Sequence, residues 1–261
     1  MKSGNPVAGS VKEEMMSLTT VNRMKKAAGI AVLTGVWILP ADAAAAVRPA
    51  LTRIVAYAAD KETAIEVKNE SQESYLVQSW LEDLKGNENN LPLVLTPPVM
   101  KVGGGQDGRL RLVVLPAEIP QDRESAYWLS IQEIPPKAKD SKDNKLIIAI
   151  RNRLKVFVRP AGLKGEASEA VKSLRWTVED GGSCLKADNP TPYHVSFGRL
   201  ELKAGGGAGV TPEDRIEMTL PLGSRCYTVP ERLKGKRATL TYSAMNDYGG
   251  ETDVLTTEVQ L

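Results

Sequence analysis

One histidine and two cysteines in 261 residues leave this chain poorly supplied for metal or acid–base chemistry. Cys184, Cys226 and His194 form no recognisable metal-ligand spacing. His194 lies beside Pro190 and Pro192 with no nucleophile or carboxylate at a suggestive spacing, so no catalytic triad is foreshadowed and a turn-edge role is the plain reading. Neither catalysis nor a cofactor is expected. Excess charge is lacking too. A formal net charge of +2 supplies no global field for nucleic acid or for an anionic membrane surface. The triplets Gly103-Gly104-Gly105 and Gly205-Gly206-Gly207 open no helix and carry no lysine with a following hydroxyl residue. That excludes a nucleotide loop and predicts hairpin turns.

A membrane-length apolar run is also missing. Ala27 to Leu39 falls short of the ~20 residues a spanning helix needs, and no later segment comes closer. This run follows Arg23, Lys25 and Lys26 and precedes Pro40 and the small-residue stretch Ala41-Asp42-Ala43-Ala44-Ala45-Ala46, which is the plan of a secretory signal. Residues 1–45 are therefore expected to be a signal peptide cleaved near 43–45, with Met15, Met16 and Met24 as alternative starts. The mature protein should be soluble, without stable membrane insertion. In an oxidising compartment Cys184 and Cys226 should pair, tying together two strands or a strand and a loop.

What the chain has in quantity is short segments rich in Val, Ile, Leu, Thr and Tyr between turn residues. They run from Thr63 to Lys68, Tyr75 to Glu82, Arg109 to Leu115, Ala126 to Glu133, Lys145 to Val158, Lys172 to Glu179, His194 to Lys203, Arg215 to Leu220, Arg237 to Ala244 and Val254 to Leu261. Few stretches are long and periodic enough for helices. The pattern predicts an all-β chain of two immunoglobulin-like sandwiches, each of about seven strands. The joint is expected at Arg159-Pro160-Ala161-Gly162, where proline ends a strand and glycine loosens the chain. The domains are then 46–159 and 160–261, angled about a cleft.

The segment Asn144 to Pro160 stands apart, because it reads as one strand, 144–158, that is apolar on both faces. Leu146, Ile148, Ile150 and Leu154 are read onto one face, and Ile147, Ala149, Val156 and Val158 onto the other. Arg151, Arg153, Lys155 and Arg159 interrupt the run, bringing charge where a strand covered on both sides would avoid it. A strand of this kind, left open on one edge, is a template for another strand.

Ordered motifs along nearly the whole mature chain resemble the periplasmic pilus-assembly chaperones of the chaperone-usher pathway, the PapD-like family. They are Leu51-Thr52-Arg53, Tyr75-Leu76-Val77-Gln78-Ser79-Trp80, Thr96-Pro97-Pro98-Val99, Pro120-Gln121-Asp122-Arg123-Glu124-Ser125 and Glu133-Ile134-Pro135-Pro136. Leu154-Lys155-Val156-Phe157-Val158-Arg159-Pro160, Asn189-Pro190-Thr191-Pro192-Tyr193-His194 and Asn246-Asp247-Tyr248-Gly249-Gly250 complete the set.

The resemblance implies two immunoglobulin-like domains in an L shape and a periplasmic chaperone that binds, folds and caps pilus subunits, the adhesin included, by lending them a strand. It implies delivery to an outer-membrane usher, and it leaves open whether the free protein caps itself as a homodimer. Nucleic acid is not a partner. Leu146, Ile148 and Ile150 would enter the subunit's groove, and Arg53 and Lys155 would hold its C-terminal carboxylate. Glu124, Arg159 and Asp247 match an interdomain charge network. Leu76, Gln78, Thr96, Pro97, Pro98, Val99, Arg111 and Ile134 match an usher-docking patch, although Pro97 and Pro98 serve equally well as loop-shaping residues. The stretch Arg53 to Asn69 is one residue longer than the commonest pattern, which predicts a bulge around Ala56 to Ala59. The short polar loop Lys137 to Asn144 resembles the branch that builds rod-like adhesive pili.

The rival reading is a secreted β-sandwich, either a pilus subunit or a carbohydrate-binding protein. A subunit would need an N-terminal extension of alternating apolar residues. Val47-Arg48-Pro49-Ala50-Leu51 is too short and contains proline.

Overall fold

The computed structural model describes residues 46–137, 148–213 and 216–261. The signal segment, Leu146 and most of the Lys137 to Asn144 loop lie outside the described residues. Nine strands precede residue 160: β1 (Val47–Pro49), β2 (Arg53–Tyr57), β3 (Thr63–Asn69), β4 (Tyr75–Glu82), β5 (Leu93–Thr96), β6 (Val99–Val102), β7 (Asp107–Val114), β8 (Ser125–Ile134) and β9 (Arg151–Arg159). They form two facing sheets, β1-β3-β7-β5 and β2-β9-β8-β4-β6. Six strands follow: β10 (Arg175–Glu179), β11 (Cys184–Asn189), β12 (Phe197–Ala204), β13 (Gly223–Thr228), β14 (Arg237–Ala244) and β15 (Leu255–Gln260). These build the sheets β10-β11-β13 and β12-β14-β15.

Period-two alternation explains the layering. Val77, Ser79 and Leu81 of β4 point inward while Leu76 and Gln78 point out, and β7 alternates likewise. Each pair of sheets thus closes on its own apolar cluster, one built on Ile65, Leu110, Leu129 and Val156, the other on Leu185, Leu202, Tyr227 and Leu240.

The first strand is split between sheets. β1 pairs with β3, and beyond Pro49 the chain crosses so that β2 pairs in parallel with β9, with Arg53 opposite Lys155 and Tyr57 opposite Arg159. That register is continuous, so the expected bulge around Ala56 to Ala59 is instead a turn, closed by the Asp60 amide donating to the Tyr57 carbonyl and tied to β9 by the Ala58 amide on the Arg159 carbonyl.

Three other expectations change. The strand expected over 144–158 begins only at Arg151. Its partner β8 ends at Ile134, and Pro135 and Pro136 have no amide to continue the ladder. Ile148 and Ile150 therefore precede the strand. The two-face reading of this segment is also corrected, because Val156 and Val158 share the buried face of Leu154. Arg215 to Leu220 is not a strand among its described residues. Thr219 alone makes a bridge, to Val195. Lys172 belongs to a 3-10 turn (Ala167–Ser173) that precedes β10. The Gly103-Gly104-Gly105 turn joins β6 and β7 of opposite sheets, so it is a corner, not a hairpin. Gly104 is required there, since a Cβ would collide with the Gln72 carbonyl.

The disulfide Cys184–Cys226 is present and links β11 to β13. Cys184 faces Thr228 and Lys186 faces Cys226, so the bond runs diagonally within one sheet. Among the described residues no helix is long and apolar enough to cross a membrane, and no group of side chains could hold a metal ion.

Candidate functional site where the two domains meet

β9 positions the site. Its even residues enter the first core, which turns Arg151, Arg153, Lys155, Phe157 and Arg159 to the outer face of the five-stranded sheet. The aromatic neighbours on β4 and β8 shelter this basic row. The Arg151 guanidinium lies 5.7 Å from the centre of Trp80, that of Arg153 lies 4.6 Å from Trp128, and the Lys155 ammonium lies 5.9 Å from Trp128. Arg153 also pairs with Glu82.

Arg53 and Lys155 are neighbours only because β2 and β9 pair in this register. Parallel partners project to the same side, so both side chains reach the second domain. Arg53 Nη1 donates to the Met245 carbonyl at 3.1 Å, and Lys155 Nζ donates to Ser196 Oγ at 3.1 Å. Burial holds the pKa of Arg53 below its ordinary value, opposed by the charges of Asp247 and Glu124. Its Nε is buried with no hydrogen-bond partner among the described residues. A partly desolvated guanidinium beside an ammonium is suited to a carboxylate, because charge-assisted bonds strengthen as water is excluded.

At the end of β9, Arg159 joins the domains. Its Nε donates to Glu124 at 2.8 Å, and its two terminal nitrogens donate to the Asp247 carboxylate at 2.6 and 2.7 Å. Burial alone would lower the pKa of Arg159, but the bonds and charges of Asp247 and Glu124 together outweigh it and raise the pKa. The sequence-predicted trio is thus one network, and it has a fourth member. The His194 amide and ring Nδ1 both meet Glu124 Oε2 at 2.9 Å, and the ring packs 5.6 Å from Phe157. His194 does stand at the edge of a turn, as expected, but its side chain is only 4% exposed and is bound into the network. Asn189 presents this loop, its fully buried amide donating to the carbonyls of Tyr193 and Leu220 while its oxygen accepts from Thr191.

The donor segment enters β9 along Glu133, whose amide donates to the Ile150 carbonyl and whose buried carboxylate accepts from the amides of Ile150 and Val47. The amide and carbonyl of one residue point the same way in an antiparallel pair and alternate along the strand. Ile150 faces β8, so Arg151 and Arg153 aim theirs at the opposite edge. There β2 covers only Lys155 to Arg159, and no strand covers Arg151 to Leu154 among the described residues. Ile148, which precedes the strand, is 64% exposed.

Of the remaining predicted residues, Leu76, Gln78, Val99 and Ile134 lie on β4, β6 and β8 of the same sheet. Leu76 pairs with Ile134 and Lys101, and Gln78 with Val99, leaving Leu76, Val99 and Ile134 exposed. Thr96 pairs with Arg111 on the other sheet, and Pro97-Pro98 carry the chain between the two.

Comparisons with known proteins agree with this geometry. Residues 46–164 match the pili and flagellar-assembly chaperone PapD N-terminal domain, and residues 169–255 match the pili assembly chaperone PapD C-terminal domain. The probable fimbrial chaperone LpfB of Escherichia coli O157:H7 is 34% identical over 244 residues, covering 92% of this chain and all of that protein. The crystal structure of the YadV chaperone superposes with a TM-score of 0.69 at 29% identity, covering 83% of this chain and all of that one. A Salmonella enterica SafB chaperone in complex with SafA pilin has a TM-score of 0.68 at 24% identity, covering 82% of this chain and 96% of that one, and shares the fold.

Proposed function

This chain belongs to the PapD family of pilus-assembly chaperones, and from that premise we propose that it takes up pilus subunits along the open edge of β9 and fixes their C-terminal carboxylates between Arg53 and Lys155. It is a fimbrial chaperone. The observation that carries the finer reading is the juxtaposition on β9 itself: the register that sets Arg53 beside Lys155 is also where the cover of β2 stops. A subunit strand added along Arg151 to Leu154 would find backbone groups already aimed at it and a cationic pair at its end. Strand addition of this kind, of which chaperone–pilin complexes are the standard example, draws affinity from main-chain bonds and specificity from alternate side chains.

Ile148 and Ile150 continue the parity of Leu154, and with Leu146 they are the side chains offered to the subunit's groove. Burying three such side chains contributes at most about 5 to 9 kcal/mol before the ordering costs of association. The charge network of Glu124, Arg159, Asp247 and His194 holds the angle between a first domain of residues 46–159 and a second of 160–261. After loss of the signal segment the protein works in the periplasm and passes its cargo to an outer-membrane usher, which docks on the patch around Leu76, Gln78, Val99 and Ile134. In the absence of cargo, a second copy caps the same open edge. No catalytic step is involved.

Co-expression with a pilin tests the anchor. The native chaperone should keep more pilin soluble than Lys155→Ala or Arg53→Ala, since losing one charge-assisted bond of about 1.5 to 3 kcal/mol weakens binding by about ten- to a hundredfold. Equal recovery from native and variant chaperones would count against it.

A further inference from the structure

Glu133, the penultimate residue of β8, is 4% exposed and lies on the inner face of its sheet with Leu129 and Ile131. The proposed uptake of cargo makes no use of its carboxylate. Among the described residues its hydrogen-bond partners are main-chain amides, Val47 at 2.8 Å on Oε2 and Ile150 at 3.4 Å on Oε1. A carboxylate is costly to bury, and one held by amides fixes backbone rather than side chains. Val47 opens β1 in one sheet and Ile150 leads into β9 in the other, so Glu133 ties the two sheets where the donor segment leaves them. A second tie runs from Asn152 Nδ2 to the Val47 carbonyl at 3.5 Å.

The bond to Ile150 interrupts a pattern. In an antiparallel ladder the two residues of a hydrogen-bonded pair exchange both bonds. Here the Glu133 amide donates to the Ile150 carbonyl at 3.0 Å, but the Ile150 amide turns to the Glu133 carboxylate in place of the Glu133 carbonyl. Both main-chain groups of Ile150 are thus held by one residue, just past the last ladder pair of Gln132 and Arg151.

We propose that Glu133 is a positioning residue that sets the parity of the donor segment, deciding which of its side chains turn toward cargo. The proposal rests on the reading of Ile148 and Ile150 as donated side chains and adds what orients them. Ile148 belongs to no ladder among the described residues, so its direction follows from where Ile150 is fixed. A slip of one residue there would carry Ala149 to the face meant for Ile148. The pair of Arg53 and Lys155 cannot set this, because it fixes where a cargo strand ends and not which face the donor presents.

The first test needs no variant. In the native mature protein without cargo, NMR should find the Ile150 amide exchanging with solvent at least about tenfold more slowly than those of Ile148 and Ala149. Equal exchange of the three would overturn the proposal. The second test sets variants against the native chaperone in competition for one co-expressed pilin, which reads relative affinity. Ile148→Ala should compete about tenfold less well than native, as for the loss of one buried side chain. In Glu133→Gln an NH2 group faces one of the two amide donors, so the parity is released. Ile148→Ala should then cost about twofold or less in that background, while Lys155→Ala should cost the same in both. A lower thermal midpoint for Glu133→Gln with a full Ile148→Ala effect would make Glu133 a structural residue only and overturn the proposal. Should Glu133→Gln fail to fold, Glu133→Asp, which keeps the charge but is too short to span both amides, takes its place. An Ile148→Ala change without effect in the native chaperone would remove the donor reading, and this proposal with it.

Discussion

Arg159, the last residue of β9, grips the Asp247 carboxylate of the second domain through two parallel hydrogen bonds of 2.6 and 2.7 Å. The fork of the guanidinium fixes direction as well as distance, which a lysine could not do. Replacing Asp247 by alanine should cost about 1.5 to 3 kcal/mol of stability, as for hydrogen bonds to charged groups. Small-angle scattering should also show a broader spread of interdomain angles. An unchanged scattering profile together with unchanged pilin binding would remove the idea that this pair sets the angle.

Glu124 should matter more. Its side chain is 1% exposed, against 34% for that of Asp247, and it serves Arg159 and His194 together. In Glu124→Gln one oxygen becomes an NH2 group facing either the Arg159 Nε–H or the His194 amide, both donors, so the amide cannot satisfy the site whichever way it turns. Breaking a buried ion pair from one side costs about 3 to 5 kcal/mol. Urea denaturation of the two variants should rank Glu124→Gln below Asp247→Ala. The reverse order would mean that burial is not what gives the network its strength.

The local elements of this fold were readable wherever alternation was clean. Tyr75 to Glu82 and Arg237 to Ala244 fall on β4 and β14 to the residue, because each has one apolar and one polar face. Alternation failed where pairing decides the matter. Cys184-Leu185-Lys186-Ala187-Asp188-Asn189 carries no strong strand pattern, yet it lies between β10 and β13 and is held by both. β1 and β2 were missed because Pro49 and the crossing after it divide one strand between two sheets. The site was less legible still. Nothing near Arg53 marks it, Lys155 stood out only as one of four charges in an apolar run, and only the family motifs paired the two. The tie of His194 to Glu124 was invisible because the two stand 70 residues apart. The ends of β9 could not be set from its own composition, since the prolines after β8 decide where its ladder stops.

Tyr227 makes the second domain sensitive to alkali. Burial pushes its phenol well above the ordinary value, with Arg225 opposing, and its hydroxyl donates to the Glu217 carbonyl at 2.9 Å. Between the unfolded pKa of about 10 and the higher folded value, the unfolded chain has released a proton that the native state retains. Stability is thus fully present below about pH 10 and falls as the pH rises through that window. Tyr227→Phe should lose the hydrogen bond, about 1 kcal/mol at neutral pH, and show a shallower decline above pH 10. Parallel declines for native and variant proteins would place the alkaline sensitivity elsewhere.

The disulfide should stabilise the second domain alone. Its cysteines are 42 residues apart, and closing a loop of that length removes about 4 kcal/mol of unfolded-chain entropy in the simplest account. The loop encloses β12 and a third of the buried residues of the second apolar cluster, and nothing of the first. Two sets of tryptophans separate the domains. Trp176 packs against Phe197, Tyr227 and Tyr242 in the second, while Trp80 and Trp128 lie on the outer face of the first. In Cys184→Ser with Cys226→Ser, the Trp176 signal should be lost at lower urea than in the native protein. The signals of Trp80 and Trp128 should move only as far as the Glu124–Arg159–Asp247 network transmits the change. A coincident shift of all three tryptophans would show the two sandwiches unfolding as one cooperative unit, and the network at their junction would then carry more free energy than the disulfide.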